Sequence, residues 1–259
     1  MSGTNGGAPA VRIVDLAKEF PGGVLAIGSI TFDIPRGELT SVIGPSGCGK
    51  TTMLKIIAGL VDATSGRVEV GGTPVVSPGP DRAFVFQDFA LLPWATVLRN
   101  VAFGLELRGQ SRSDREATAR EYVEKVGLAG FEDTYPHQLS GGMRQRVGLA
   151  RALAVDADIL LMDEPFASVD EQIRRKFQDD LLHLLSDENK TVIFVTHSIE
   201  EAVYLSDQVV ILTRGPSRVS KVIRPGVDRS ADSDTIRRSP EYLDWVEQIW
   251  GELQSYLDE

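Results

Sequence analysis

Cysteine is almost missing from the 259 residues: Cys48 stands alone, which excludes an intramolecular disulfide and fits a reducing compartment. Histidine is nearly as scarce, and the three present are too scattered to form a metal-ligand spacing. Long apolar runs are absent too. Ile159-Leu160-Leu161-Met162 and Val209-Val210-Ile211-Leu212 fall far short of the roughly 18 residues of a membrane helix, and they read as buried strands. Basic residues are in deficit, 27 Lys and Arg against 37 carboxylates. This argues against a surface that holds nucleic acid by neutralising phosphates, or that docks on anionic lipid. The segment Met1 to Pro9 is Gly-rich and lacks a basic stretch followed by an apolar one, so no secretory signal is expected and residues 1–8 are expected to be disordered. A globular chain on the cytoplasmic side is the resulting expectation.

Strand-like runs at Val11 to Leu16, Ile30 to Ile34, Leu39 to Ile43, Val68 to Val70 and Ala83 to Phe86 make the first third rich in sheet, with one helix-sized segment among them. From Val97 to Leu128 the pattern turns helical: Ser113 and Glu116 form a capping-box pair, and Ala117, Tyr122, Val123 and Val126 recur at helical spacing. Strands and helices then alternate: a helix at Gly141 to Ala154, strand Ile159 to Met162, a helix from Glu171, strand Thr191 to Thr196, a helix after Ser198 and strand Gln208 to Leu212. Such alternation implies a parallel sheet covered on both faces. Asp228 to Arg238 lacks periodicity and reads as a linker. A final helix follows, capped by Ser239 with Pro240 in its first turn, and Leu243, Val246, Ile249, Trp250, Leu253 and Leu257 form its apolar stripe.

The chemistry is concentrated in two places. Gly44-Pro45-Ser46-Gly47-Cys48-Gly49-Lys50-Thr51 fits G-x-x-x-x-G-K-[ST] between a strand and a helix-like run. Its glycines let backbone amides turn toward phosphate oxygens, Lys50 reaches the β- and γ-phosphates, and Thr51 can ligate Mg²⁺. Strand Ile159 to Met162 delivers Asp163 and Glu164 at its carboxyl end, where open α/β sheets build sites. Strand alternation would point one acid at a metal and the other at an attacking water.

Leu139-Ser140-Gly141-Gly142-Met143-Arg144-Gln145-Arg146, upstream of Asp163-Glu164, resembles the signature sequence of the ABC ATPase family. Gln87, Asp170 and Thr196-His197 complete that family's set in its order, and the likeness runs from about Val11 to Leu212. The resemblance implies an α/β fold: a phosphate-loop NTPase (RecA-like) core with an N-terminal antiparallel β subdomain and an inserted α-helical subdomain. The expected division is a core with β subdomain at 9–87 and 156–223, a helical subdomain at 88–155, a linker at 224–238 and a C-terminal helix at 239–259. By the same resemblance Gly44 to Thr52 would bind ATP, with Lys50, Thr51 and Thr52 on phosphates, and Thr51, Gln87 and Asp163 would hold Mg²⁺. Glu164 would act on the attacking water, His197 would contact the γ-phosphate, and Gln87 would sense it. Ser140 and Gly142 would close over ATP held by the opposite subunit, and Phe20 stands where the family stacks an aromatic on adenine.

Met143 replaces the commonest signature Gln, and Ala167-Ser168-Val169-Asp170 departs from the usual Ser-Ala-Leu-Asp. One phosphate loop and one signature per chain imply a homodimer or a paired nucleotide-binding subunit. Membrane permease subunits and an external solute-binding protein complete the implied assembly, with no nucleic acid. Ser77 to Arg82, Phe86-Gln87-Asp88, Leu91 to Trp94 and Asn100 to Leu105 look like the importer branch for nitrate, sulfonates and taurine. The alternatives are an exporter subunit, or an ATPase head of DNA maintenance. The latter is disfavoured by the short, heptad-free segment between Gln87 and Ser140.

Overall fold

The structure, a computed structural model, describes residues 8–167 and 171–256. The chain begins with strands β1 (Val11–Phe20), β2 (Val24–Ile34) and β3 (Leu39–Ile43), helix α1 (Lys50–Ile57), and strands β4 (Ser65–Val70) and β5 (Thr73–Pro74). It continues through β6 (Arg82–Val85), α2 (Val97–Leu107), α3 (Arg112–Lys125), α4 (Gly141–Ala154), β7 (Ile159–Asp163) and α5 (Glu171–Glu188). It ends with β8 (Thr191–Val195), α6 (Ile199–Leu205), β9 (Gln208–Leu212), β10 (Ser217–Ile223), α7 (Ser233–Arg238) and α8 (Pro240–Gln254).

Two compact units result: residues up to Gly79 together with those from Lys190 on, and Pro80–Asn189. In the first unit the strands lie in the order β5-β4-β1-β2-β10-β9-β3-β8. Its outer part is antiparallel, β1 pairing with both β2 and β4, and its inner part is parallel, β3 lying between β8 and β9. Sequence explains the difference. Gln208 at the start of β9 apart, β3, β8 and β9 are apolar or small along their length, and every residue is buried, as strands covered on both faces require. In β1 and β2, by contrast, buried Val11, Ile13, Ile30, Phe32 and Ile34 alternate with polar neighbours.

The second unit pairs β6 with β7 in parallel and packs α2, α3 and α4 on one another. Thr96, Ser111 and Ser140 cap these helices by accepting the amides of Arg99, Asp114 and Met143. Burial of Val97, Val101, Leu105, Val123, Val147 and Leu153 supplies the helical core. Each such side chain contributes roughly 1.5–3 kcal/mol.

Three readings of the C-terminal part need correction. A further strand, β10, follows β9, and it was hidden because only two of its seven residues are buried. The stretch expected as a featureless linker contains α7, capped by Asp232 through the Thr235 amide at 3.0 Å. Helices of six residues are too short to show periodicity. The same stretch is pinned by Arg229, which donates to the Tyr204 carbonyl and to Asp207, both at 3.0 Å. In α8 the docked face is Tyr242 and Ile249 against α6, while Leu243 and Trp250 are exposed, so the expected stripe is rotated. Ser220, bonded to Glu252 and Tyr256, fixes that rotation. Residues 1–7, Asp170 and Leu257 lie outside the described residues.

Candidate functional site

In the first unit, parallel strands β3 and β8 run in register, Val42 opposite Val195, so the segments leaving their carboxyl ends emerge side by side. From β3 comes the loop Gly44 to Gly49, and from β8 come Thr196 and His197. Gly49 takes φ 93°, and a Cβ there would stand 2.9 Å from the Ala26 carbonyl oxygen and from Ile27. Only glycine satisfies both constraints. At Gly44 a Cβ would meet the Leu212 carbonyl oxygen at 2.8 Å, so β9 closes the loop from the other side.

Helix α1 starts at Lys50 with no side chain capping its first amides, an end suited to an anion. The Lys50 ammonium, only 5% exposed, donates to the carbonyls of Gly44 at 2.8 Å and Pro45 at 3.0 Å. The loop thus wraps a buried cation, and Thr51 and Thr52 follow at its edge, half-buried. Cys48 is buried inside the loop; burial pushes its thiol up, against the pull of the Lys50 charge.

Phe20 ends β1 and is 37% exposed, with the Lys18 ammonium 5.1 Å from the ring centroid. It is therefore a surface ring and not part of the core. Its pairing partner Val24 lies two residues before the Ala26 that contacts Gly49, which ties this hairpin to the phosphate loop. His197 is exposed. Beneath it Thr196 donates to buried Glu201 and accepts the Ser198 amide at 3.1 Å, so the turn carrying His197 is held from inside.

In the second unit the same logic repeats on β6 and β7, where Val85 faces Met162. Asp163 closes β7 and is buried. Glu164 does not continue the strand: its φ of 48° lies in the left-handed region. Alternation along an extended strand therefore does not set its direction. The turn aims its carboxylate back toward β6, where Gln87 donates its amide to Glu164 Oε2 at 3.4 Å. A non-glycine residue held there costs roughly 1–2 kcal/mol, a strain typical of functional positions. The hydroxyl, amide carbonyl and carboxylate of Thr51, Gln87 and Asp163 are hard oxygen donors of the kind Mg²⁺ takes.

Ser140 is exposed at the start of α4, and its Oγ accepts the Met143 amide at 3.3 Å. While accepting that amide, the hydroxyl keeps its own proton to donate. Gly142 lies in that first turn and is half-buried.

Asn100 belongs to the segment that resembles the importer branch, and its buried side chain organises the apolar segment after Gln87. It accepts the Leu92 amide at 2.8 Å and donates to the carbonyls of Leu92, Ala95 and Thr96. Trp94, 72% exposed, is presented by that frame, while Ala95 and Phe89 are buried. Polar ties inside a loop leave no periodic trace in sequence, so this role was not legible.

The ABC transporter family description matches residues 27–167. An uncharacterized ABC transporter ATP-binding protein of Methanocaldococcus jannaschii is 49% identical, over 92% of this chain and 89% of that protein. The taurine import ATP-binding protein of Chromobacterium violaceum is 44% identical over 88% of this chain and 89% of its own length. Among solved structures, a dimeric ATP-binding cassette in a post-hydrolysis state, bound to ADP and Pi, is 32% identical with a TM-score of 0.75. That match covers 83% of this chain and 98% of the other.

Proposed function

Because the chain belongs to the ABC transporter family and is an ATP-hydrolysing subunit of it, we propose that it energises uptake of a small solute bearing an anionic group, an organic sulfonate such as taurine or a related ion such as nitrate. The observation that carries this reading is the 39–44% identity, over 88% or more of the chain, to ATP-binding proteins of taurine import. The assembly would comprise two such subunits, permease subunits in the membrane and an external solute-binding protein. No helix among the described residues is long and apolar enough to cross a membrane, so the transport path would belong to those partners.

In this reading Phe20 stacks on adenine and the amides of Gly44 to Thr52 cradle the phosphates. Lys50 exchanges its carbonyl partners for phosphate oxygens. Thr51, Asp163 and Gln87 hold Mg²⁺, which would neutralise charge on the phosphates. Glu164 accepts a proton from, or orients, the attacking water, and His197 bonds the γ-phosphate. Ser140 and Gly142 act on the nucleotide of the opposite subunit. Trp94 is the anchor for a cytoplasmic segment of the permease. Because Ala95 is buried, a cysteine at Trp94 and not at Ala95 is the probe for crosslinking to that partner.

The test is the complete transporter in proteoliposomes with its solute-binding protein, screened against taurine, other sulfonates and nitrate. Stimulation of ATP hydrolysis by one of them, with uptake, is expected. Efflux, or indifference to every anionic solute, would overturn the importer reading.

A further inference from the structure

The turn that carries Gln87 is tied from below by a residue no motif singles out. Phe86 to Phe89 forms a tight turn, closed by the Phe89 amide donating to the Phe86 carbonyl at 2.9 Å, with Gln87 at its first corner. The chain then passes through two consecutive non-glycine residues in the left-handed region, Phe89 at φ 62° and Ala90 at φ 42°. Nothing in their side chains favours that conformation. What holds it is Arg151, near the end of α4. Its Nη2 donates to the Phe89 carbonyl at 2.6 Å and its Nη1 to the Ala90 carbonyl at 2.7 Å, a two-pronged grip on successive carbonyls. Gly148, one turn earlier on α4, runs beneath Phe89, and a Cβ there would stand 3.5 Å from the Phe89 Cβ, in ordinary contact. A half-buried guanidinium stays charged there at some cost, which burial expresses as a lowered pKa and neighbouring Asp88 opposes.

We propose that Arg151 is a positioning residue for ATP hydrolysis: its fork on the Phe89 and Ala90 carbonyls fixes the turn that places Gln87 against Glu164. This rests on the reading of Gln87 and Glu164 as the hydrolytic pair. Both prongs of Arg151 end on backbone carbonyls, so it acts on Gln87 through the backbone. Lysine's ammonium is a compact point charge on a flexible stem and lacks the rigid planar fork that meets both carbonyls in one geometry.

The experiment uses the full chain and measures nucleotide affinity, kcat for MgATP and thermal melting. The variants are Gln87→Ala, Arg151→Lys, Arg151→Ala, Ala90→Gly and the double Arg151→Ala/Ala90→Gly. Misplacement of a catalytic group by a fraction of an ångström lowers kcat, so Arg151→Ala is expected to lose on the order of tenfold or more, with affinity kept. Arg151→Lys should fall between it and wild type. Glycine adopts the left-handed conformation freely, so Ala90→Gly alone should resemble wild type and the double variant should recover most of the lost kcat. Rescue by an exposed glycine is not expected of a residue that merely fills space. Wild-type kcat in Arg151→Ala, or a kcat loss that Ala90→Gly leaves untouched, would overturn the assignment. If Arg151→Ala fails to fold, Arg151→Lys with and without Ala90→Gly carries the same two outcomes. Wild-type hydrolysis by Gln87→Ala would instead defeat the underlying reading, and the proposal with it.

Discussion

The phosphate loop and the turn after Gln87 both need backbone in the left-handed region, and they obtain it by opposite means. The first places glycines there, Gly47 at φ 76° and Gly49 at φ 93°. The second forces Phe89 and Ala90 there with the Arg151 fork, and the neighbouring strand end does the same with Glu164. Where glycine supplies the geometry, the loop's own residues adopt it without steric cost. Where contacts supply it, the geometry lasts only while distant groups hold it. The first arrangement suits a fixed cradle for phosphates, the second a turn that responds to what is bound.

The largest effect expected from this contrast is at Glu164. Glu164→Gln keeps shape and backbone and removes only the basic carboxylate, so hydrolysis should fall by roughly 10²-fold or more in a steady-state phosphate-release assay. MgATP binding should persist. Hydrolysis at the wild-type rate would remove Glu164 from the chemistry.

Next come the glycine exchanges. Gly49→Ala meets the Ala26 carbonyl at 2.9 Å as well as an unfavourable φ, and should destabilise the chain by about 1–3 kcal/mol and abolish nucleotide binding. Ala90→Gly, in a compatible conformation, should shift stability by no more than about 1 kcal/mol. Chemical denaturation of both variants decides the point: equal effects would mean that the two loops are not built differently.

Phe20→Ala is expected to weaken nucleotide binding by roughly 1–3 kcal/mol, and Phe20→Tyr to leave it unchanged, as read by fluorescent-nucleotide titration. The smallest effect concerns Cys48, whose thiol is pushed up mainly by burial. A thiol whose folded pKa lies above its unfolded value stabilises the fold fully below about pH 8.5 and loses that contribution as pH rises further. Native Cys48 should therefore resist alkylation at neutral pH and react only at higher pH, while Cys48→Ala should flatten the alkaline fall in stability. Fast alkylation at pH 7 would contradict the burial argument.

The same contrast explains what could be read from sequence. The phosphate loop, the strand Leu39–Ile43 and the helix Gly141–Ala154 were legible because glycine spacing, a short strand-like run bounded by turn residues and a capping Ser140 are local signals. Glu164 was legible as a residue but not as a geometry, since strand alternation fails at a left-handed φ. Arg151 and Asn100 left no trace, because a side chain bonded to backbone carbonyls in another segment has no periodicity to show. The α7 helix and β10 went unseen for a related reason: short, polar elements are stabilised by Asp232, Arg229 and pairing with β9 more than by an apolar face.

The central claim is that the chain hydrolyses ATP in a site completed by Ser140 of a second subunit. It is tested most directly by the mass of Glu164→Gln in light scattering, with ADP and then with MgATP. A monomer with ADP that becomes a dimer with MgATP, and reverts when Ser140→Arg is added, is the predicted result. A Glu164→Gln protein that binds MgATP yet stays monomeric would contradict it.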